Sequence, residues 1–122
     1  MKNGLRLMQY PKHKYVRSIT LLRNAREIPC QHCGADDGTV VAAHTNFGGG
    51  KGRAIKADDN LIASLCFNCH AELDQGKNLT KDERQAMWVA AHIKTVHKLT
   101  RLGLWPANIP ISALTEAGQT FD

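Results

Sequence analysis

Cys30-Gln31-His32-Cys33 and Cys66-Phe67-Asn68-Cys69 contain every cysteine in this 122-residue chain. A CxxC turn sends both sulfurs to one side of a tight knuckle. Two such knuckles brought together offer four thiolates to one tetrahedral ion, the usual arrangement of structural zinc. The competing use is a pair of disulfides, which requires an oxidising compartment. Two histidines stand in fixed relation to the brackets. His70 follows Cys69 directly, and between the brackets the apolar run Thr39-Val40-Val41-Ala42-Ala43 delivers His44. The knuckles thus frame residues that could do chemistry.

The chain must position these groups with little material. At this length it is one small domain or a domain with tails. Aromatic residues make up only 6% of it, so burial alone gives a modest core and a cross-link is expected. A structural zinc site can contribute on the order of 10 kcal/mol. The N-terminus, Met1-Lys2-Asn3-Gly4-Leu5-Arg6, has no apolar signal segment, and no apolar run is long enough to span a membrane. Those features predict a reducing, cytoplasmic setting, where paired CxxC units are metal ligands rather than disulfides. The net charge is +5, and every charged residue before Glu27 is basic. Such a one-sided segment is an electrostatic footprint for phosphates, or simply a solvated basic tail.

Residues 1–17 read as a basic arm punctuated by Gly4 and Pro11. A helix is expected over 18–27, capped by Ser18, with Ile19, Leu22 and Ala25 on one face. Pro29 ends it and the first knuckle follows, with Gly34 after it. Residues 39–43 form a short strand, 45–60 a long polar loop with Gly48-Gly49-Gly50-Lys51-Gly52-Arg53, and 61–65 a second strand, antiparallel to the first. The second knuckle opens a short helix, 67–75, stopped by Gly76. Thr80-Lys81-Asp82-Glu83 is a capping box that starts a longer helix over 81–100. Ala86, Val89, Ala90, Ile93 and Val96 repeat on it at helical spacing, as core positions do. Residues 106–122 lack periodicity and read as a loose tail. The fold class expected is α+β: a two-stranded ribbon and short helix around one zinc, flanked by helices, within a domain at 18–105.

The order strand, histidine, long loop, asparagine, strand, helix, histidine resembles the motif of HNH endonucleases, the ββα-metal or His-Me finger superfamily. The matching run reads Ala42-Ala43-His44, then Asp59-Asn60-Leu61-Ile62-Ala63-Ser64-Leu65-Cys66-Phe67-Asn68-Cys69-His70, with Glu72 and Asp74 after it. With Pro29-Cys30 and Cys33-Gly34 in front, the run is similar to small phage and prophage nucleases of the recombination-associated type. The likeness covers roughly residues 17–105 and leaves the extreme arm and the tail aside. Its NL-x(3)-LC-x(2)-CH segment is specific, whereas a single histidine after a strand is not.

The resemblance implies hydrolysis of DNA phosphodiester bonds in a bacterial host cell, with recombination or replication proteins as possible partners and no membrane. His44 would be the general base that takes a proton from the attacking water, a role suited to a group titrating at about 6.5. His70 and Asp74, four apart on one helix face, would hold a divalent ion, magnesium or manganese, which stabilises charge on phosphate and leaving oxygen. Asn60 would support the backbone that carries His44. Cys30, Cys33, Cys66 and Cys69 would hold the structural zinc. Lys12, Lys14 and Arg17 in the arm, with Lys51, Arg53 and Lys56 in the glycine loop, would contact DNA phosphates without reading sequence. One position departs from the family: many members carry an acid or a second histidine before the base as a metal ligand, and here Ala43 stands there. Bland uses compete at each site. His44 could be a core histidine, His70 a zinc ligand, Asp74 a solvated acid, and the whole chain a zinc-stabilised DNA-binding or recombination accessory protein without cleavage. His32, His92 and His97 are assigned no role beyond packing or surface.

Overall fold

Two short apolar runs, too brief for helices, form the centre of the fold. In the computed structural model, which describes residues 15–44 and 58–115, they are β1 (Val41–His44) and β2 (Ile62–Leu65). They pair antiparallel in the register Val41↔Leu65, Ala42↔Ser64, Ala43↔Ala63, His44↔Ile62. Among the described residues the ribbon is flanked by α1 (Ile19–Ala25), α2 (Phe67–Gln75) and α3 (Lys81–Arg101). This is a small mixed α/β fold, consistent with the α+β class, in which a helix directly follows the second strand. No helix among the described residues is long and apolar enough to cross a membrane.

Every residue of β2 is buried, so the backbone groups on its second edge need partners. They find them outside the sheet. Gln31 N–H donates to the Ser64 carbonyl at 2.8 Å, the Thr95 hydroxyl accepts from Ser64 N–H at 2.9 Å, and His92 Nδ1 meets the Ile62 carbonyl at 2.7 Å. The Ser64 hydroxyl donates to the Ala25 carbonyl at 2.6 Å. One strand therefore fastens the first knuckle, α1 and α3 together.

The helix ends follow local rules. Ser18 accepts from Leu21 N–H and starts α1. Thr80 and Glu83 form both halves of the capping box at the start of α3. The Thr39 hydroxyl accepts from Phe67 N–H, so a side chain from the turn before β1 supplies a cap for α2. At the other end of α2 a Cβ on Gly76 would collide with Glu72. Gly76 stops the helix in extended backbone rather than in the left-handed form usual for a terminal glycine.

Side chains alternate across the ribbon. Ala43, Ala63 and Leu65 belong to a core with Cys30, Cys66, Cys69, Leu73, Trp88 and Ala91. Ile62, with Ala42 beside it, belongs to a second core with Leu21, Ala25, Ile28, Leu99 and Ile109. Three expectations are corrected here. On α1 the buried face is Leu21 and Ala25, while Ile19 is 73% exposed. On α3 the buried face is Trp88, Ala91, His92, Thr95, Val96 and Leu99, whereas Ala86 and Ala90 are exposed. The reason is polar: His92 and Thr95 go inward to serve the edge of β2, which rotates the helix away from its all-apolar stripe. Residues 106–115 are not loose. Ile109 and Thr115 are buried, the Trp105 indole donates to the Ile109 carbonyl, and His92 Nε2 meets the Ser112 hydroxyl at 2.7 Å.

Candidate functional site

The two knuckles converge. All four cysteine sulfurs lie within 4.8 Å of one another, the one such group of histidine, cysteine or acidic ligands among the described residues. Cys33 Sγ and Cys66 Sγ, one from each knuckle, are 3.6 Å apart. An ion about 2.3 Å from each sulfur puts tetrahedral sulfurs about 3.8 Å apart, whereas a disulfide needs about 2.05 Å. All four thiols are free. The first knuckle is shaped by Cys30 N–H donating to the Ala35 carbonyl and by Gly34, at φ +85, folding back onto the Cys30 carbonyl. His32 and Cys33 N–H groups both point at Cys30 Sγ, at 3.4 Å each. Burial works to raise the Cys30 thiol, but backbone donors from Cys33, Cys66 and His32 outweigh it and bring it down from 9.0 to about 6. Cys69 goes the other way: burial, then the neighbouring sulfurs, push it up. Four thiols that share one small volume suit a metal such as zinc, whose charge offsets four thiolates together.

His44 ends β1 where a second set of contacts gathers. Its Nε2 lies 3.0 Å from Asp59 Oδ1, and the aspartate side chain is 9% exposed against 34% for the histidine. Ala43, just before it, is fixed by the buried Trp88 indole, which donates to the Ala43 carbonyl at 2.9 Å. The strand end bearing His44 is therefore held on both sides. Asn60 is buried as well, but its amide nitrogen donates to the Pro110 carbonyl at 2.9 Å, and Oδ1 has no partner among the described residues. The residue that reaches His44 is Asp59, one position earlier. The resemblance places Asp59 at the head of the motif run, beside Asn60, but assigns it no role of its own.

His70 and Asp74 meet on the surface of α2, with Nε2 3.2 Å from Oδ2 and both side chains 38% exposed. The helix sets this by itself, since residues four apart share a face. His44 does not join them in a three-ligand group. It pairs across the ribbon with Ile62, a residue of the α1-side core, whereas Cys69 and Leu73 of α2 lie on the side of Ala43. Glu72, between His70 and Asp74, has a buried Oε2 without a partner among the described residues.

Of the expected phosphate contacts, Arg17 is exposed, stacked over Tyr15 with its carbon 4.8 Å from the ring centroid. Lys12, Lys14, Lys51, Arg53 and Lys56 lie outside the described residues. Two buried groups that the sequence did not single out, Trp88 and His92, stack at 4.9 Å between ring centroids and brace the ends of both strands. Compared with known proteins, the chain matches no family model, no curated protein and no solved structure.

Proposed function

We propose that this protein is a metal-dependent DNA endonuclease of the HNH type, of the kind phages and prophages carry. One observation carries the reading: His44 ends the first strand, Asp59-Asn60 leads into its antiparallel partner, and His70, directly after the second knuckle, faces outward with Asp74 one turn further on. In this reading zinc on Cys30, Cys33, Cys66 and Cys69 is structural. His44 takes the proton of the attacking water. His70 and Asp74, partly exposed and in contact only through a surface pair, hold a magnesium or manganese ion. Such an ion, when bound, offsets charge on the phosphate and the leaving oxygen. Two protein ligands leave most of its coordination to water and substrate, as suits magnesium. Asn60 braces the start of β2 through Pro110, so it supports the site from behind. The basic arm and loop hold DNA by its phosphates.

Ala43 favours a second reading, a zinc-stabilised DNA-binding or recombination accessory protein, because it removes the ligand that many relatives of this motif place there. A nicking assay separates the two. Zinc-loaded full chain, with magnesium or manganese and a panel of duplex, single-stranded and branched DNA, should cut at least one substrate, and His44→Ala should cut none. DNA binding without cleavage by the wild type in either ion would leave the accessory reading standing.

A further inference from the structure

Asp59 is 6% exposed and bonds in two directions. Oδ1 meets His44 Nε2 at 3.0 Å, and Oδ2 accepts the Ser18 N–H at 2.8 Å. A carboxylate only accepts, so the imidazole nitrogen that faces it must carry the hydrogen. In the neutral ring the lone pair then belongs to Nδ1. We infer that Asp59 is the positioning residue of this site, holding His44 as the Nε2–H tautomer so that Nδ1 is the nitrogen that takes a proton. The catalytic consequence rests on the nuclease reading above; the tautomer does not.

The same acid doublet fastens the end of the basic arm. Asp59 N–H donates to the Val16 carbonyl at 2.9 Å, and Val16 N–H donates to Asp58 Oδ1 at 3.0 Å. Residues 16–18 are therefore pinned beside His44, with the exposed Arg17 between two of the bonds. The Asp58-Asp59 pair thus orients the His44 ring and holds residues 16–18 beside it.

Asp59→Asn tests this with little change of shape. Ser18 N–H can only donate, so it claims the single oxygen of the asparagine and turns the amide NH2 toward His44. That group donates, so Nε2 must accept, and the hydrogen moves to Nδ1. Long-range proton–nitrogen spectra of the imidazoles, recorded at about pH 8 where an ordinary histidine is neutral, read this directly. His44→Ala assigns the signals by their disappearance. Wild-type His44 should show the Nε2–H pattern, and Asp59→Asn the Nδ1–H pattern. In cleavage assays the same variant should lose about 10²- to 10⁴-fold in kcat, the range of a lost general base, with KM and zinc content unchanged. A wild-type His44 averaged between the two tautomers overturns the inference, and that outcome does not depend on Asp59→Asn folding. An Asp59→Asn protein with an unchanged tautomer also overturns it, as does one with a flipped tautomer and full kcat. If the wild type cuts no DNA, the nuclease reading fails while the spectrum still decides the tautomer.

Discussion

His44–Asp59 and His70–Asp74 are both contacts from a histidine Nε2 to an aspartate, at 3.0 and 3.2 Å, yet they are different physical objects. The second is a helix-surface pair, both members 38% exposed, worth about 0.2–0.5 kcal/mol by the usual measure of such contacts. Water and salt compete with it, and either side chain can leave. The first joins residues 15 apart in sequence through a carboxylate that also holds the start of α1. Its geometry is fixed from outside the pair, by Ser18 on one side and by Trp88 on the Ala43 carbonyl on the other. The difference suits different tasks. A ring that must take a proton at one nitrogen gains from rigidity, whereas a site that must admit an ion gains from a pair that opens at little cost.

The largest effect should come from removing what holds both pairs in place. Purified protein is expected to carry about one zinc per chain. Stripping it with a chelator, or substituting Cys69→Ser, should unfold the domain, because binding worth on the order of 10 kcal/mol exceeds the stability of a chain this small. Circular dichroism and metal analysis would show both pairs lost at once. A zinc-free protein with two disulfides by mass spectrometry would sink this picture.

Next in size is the effect of the histidines on cleavage. His44→Ala should abolish cutting while zinc and DNA binding persist, since the base acts only on the attacking water. His70→Ala should also lose cutting and keep its zinc, because four sulfurs already close that shell. Zinc content decides between roles for His70. Loss of zinc and unfolding in His70→Ala would make it a structural ligand and favour the accessory reading.

What could be read from the residues follows the range of the interactions. The CxxC knuckles, the capping box, the His70–Asp74 face and the Gly76 end of α2 depend on neighbours within a turn, so their types and spacing announce them. Asp59 stands at the head of the motif run, but its role depends on a partner across a loop that nothing local announces. The buried face of α3 was hidden for another reason. His92 and Thr95 are polar, so an apolar stripe drawn through Ala86, Val89, Ala90, Ile93 and Val96 has only Val96 on the buried side that β2 needs. The apolar residues of 106–115 are interrupted by Pro106 and Pro110 and by polar Asn108 and Ser112, and the attachment of this segment through Trp105, Ile109 and Ser112 is visible only once the partners are in place.

His92 is a third histidine, and it sharpens the contrast because both its partners are neutral. Its Nδ1 donates to the Ile62 carbonyl, and its Nε2 accepts from the Ser112 hydroxyl. Burial pushes its pKa below the ordinary 6.5, outweighing the carbonyl contact, which acts the other way. The unfolded chain therefore binds a proton at higher pH than the folded one does. This contribution to stability is fully present above about pH 6.5 and is lost as pH falls below it. Urea midpoints of the zinc-loaded wild type should fall between pH 7 and 5, and His92→Gln should fall less over the same range. Zinc release is common to both proteins and cancels in the difference. Parallel curves would mean that His92 does not titrate differently in the two states.

The smallest effect is the direct comparison of the two carboxylates. Asp59→Ala leaves a half-buried Ser18 N–H and a fixed imidazole without their acceptor, which should cost about 1–3 kcal/mol. Asp74→Ala removes an exposed partner that water replaces, so stability should change by less than about 0.5 kcal/mol. Its position near the C-terminal end of α2, where the helix dipole disfavours an acid, could even make the change slightly favourable. Function should divide differently from stability. Under the nuclease reading, Asp74→Ala should raise the magnesium or manganese concentration needed for half-maximal cleavage while leaving some activity, because one of few ligands is gone. Titrating the ion against rate, alongside urea unfolding of both variants, checks the two claims together. If the two substitutions cost equal stability, the surface pair is as constrained as the buried one, and the division between a rigid base and a pliant ion site fails.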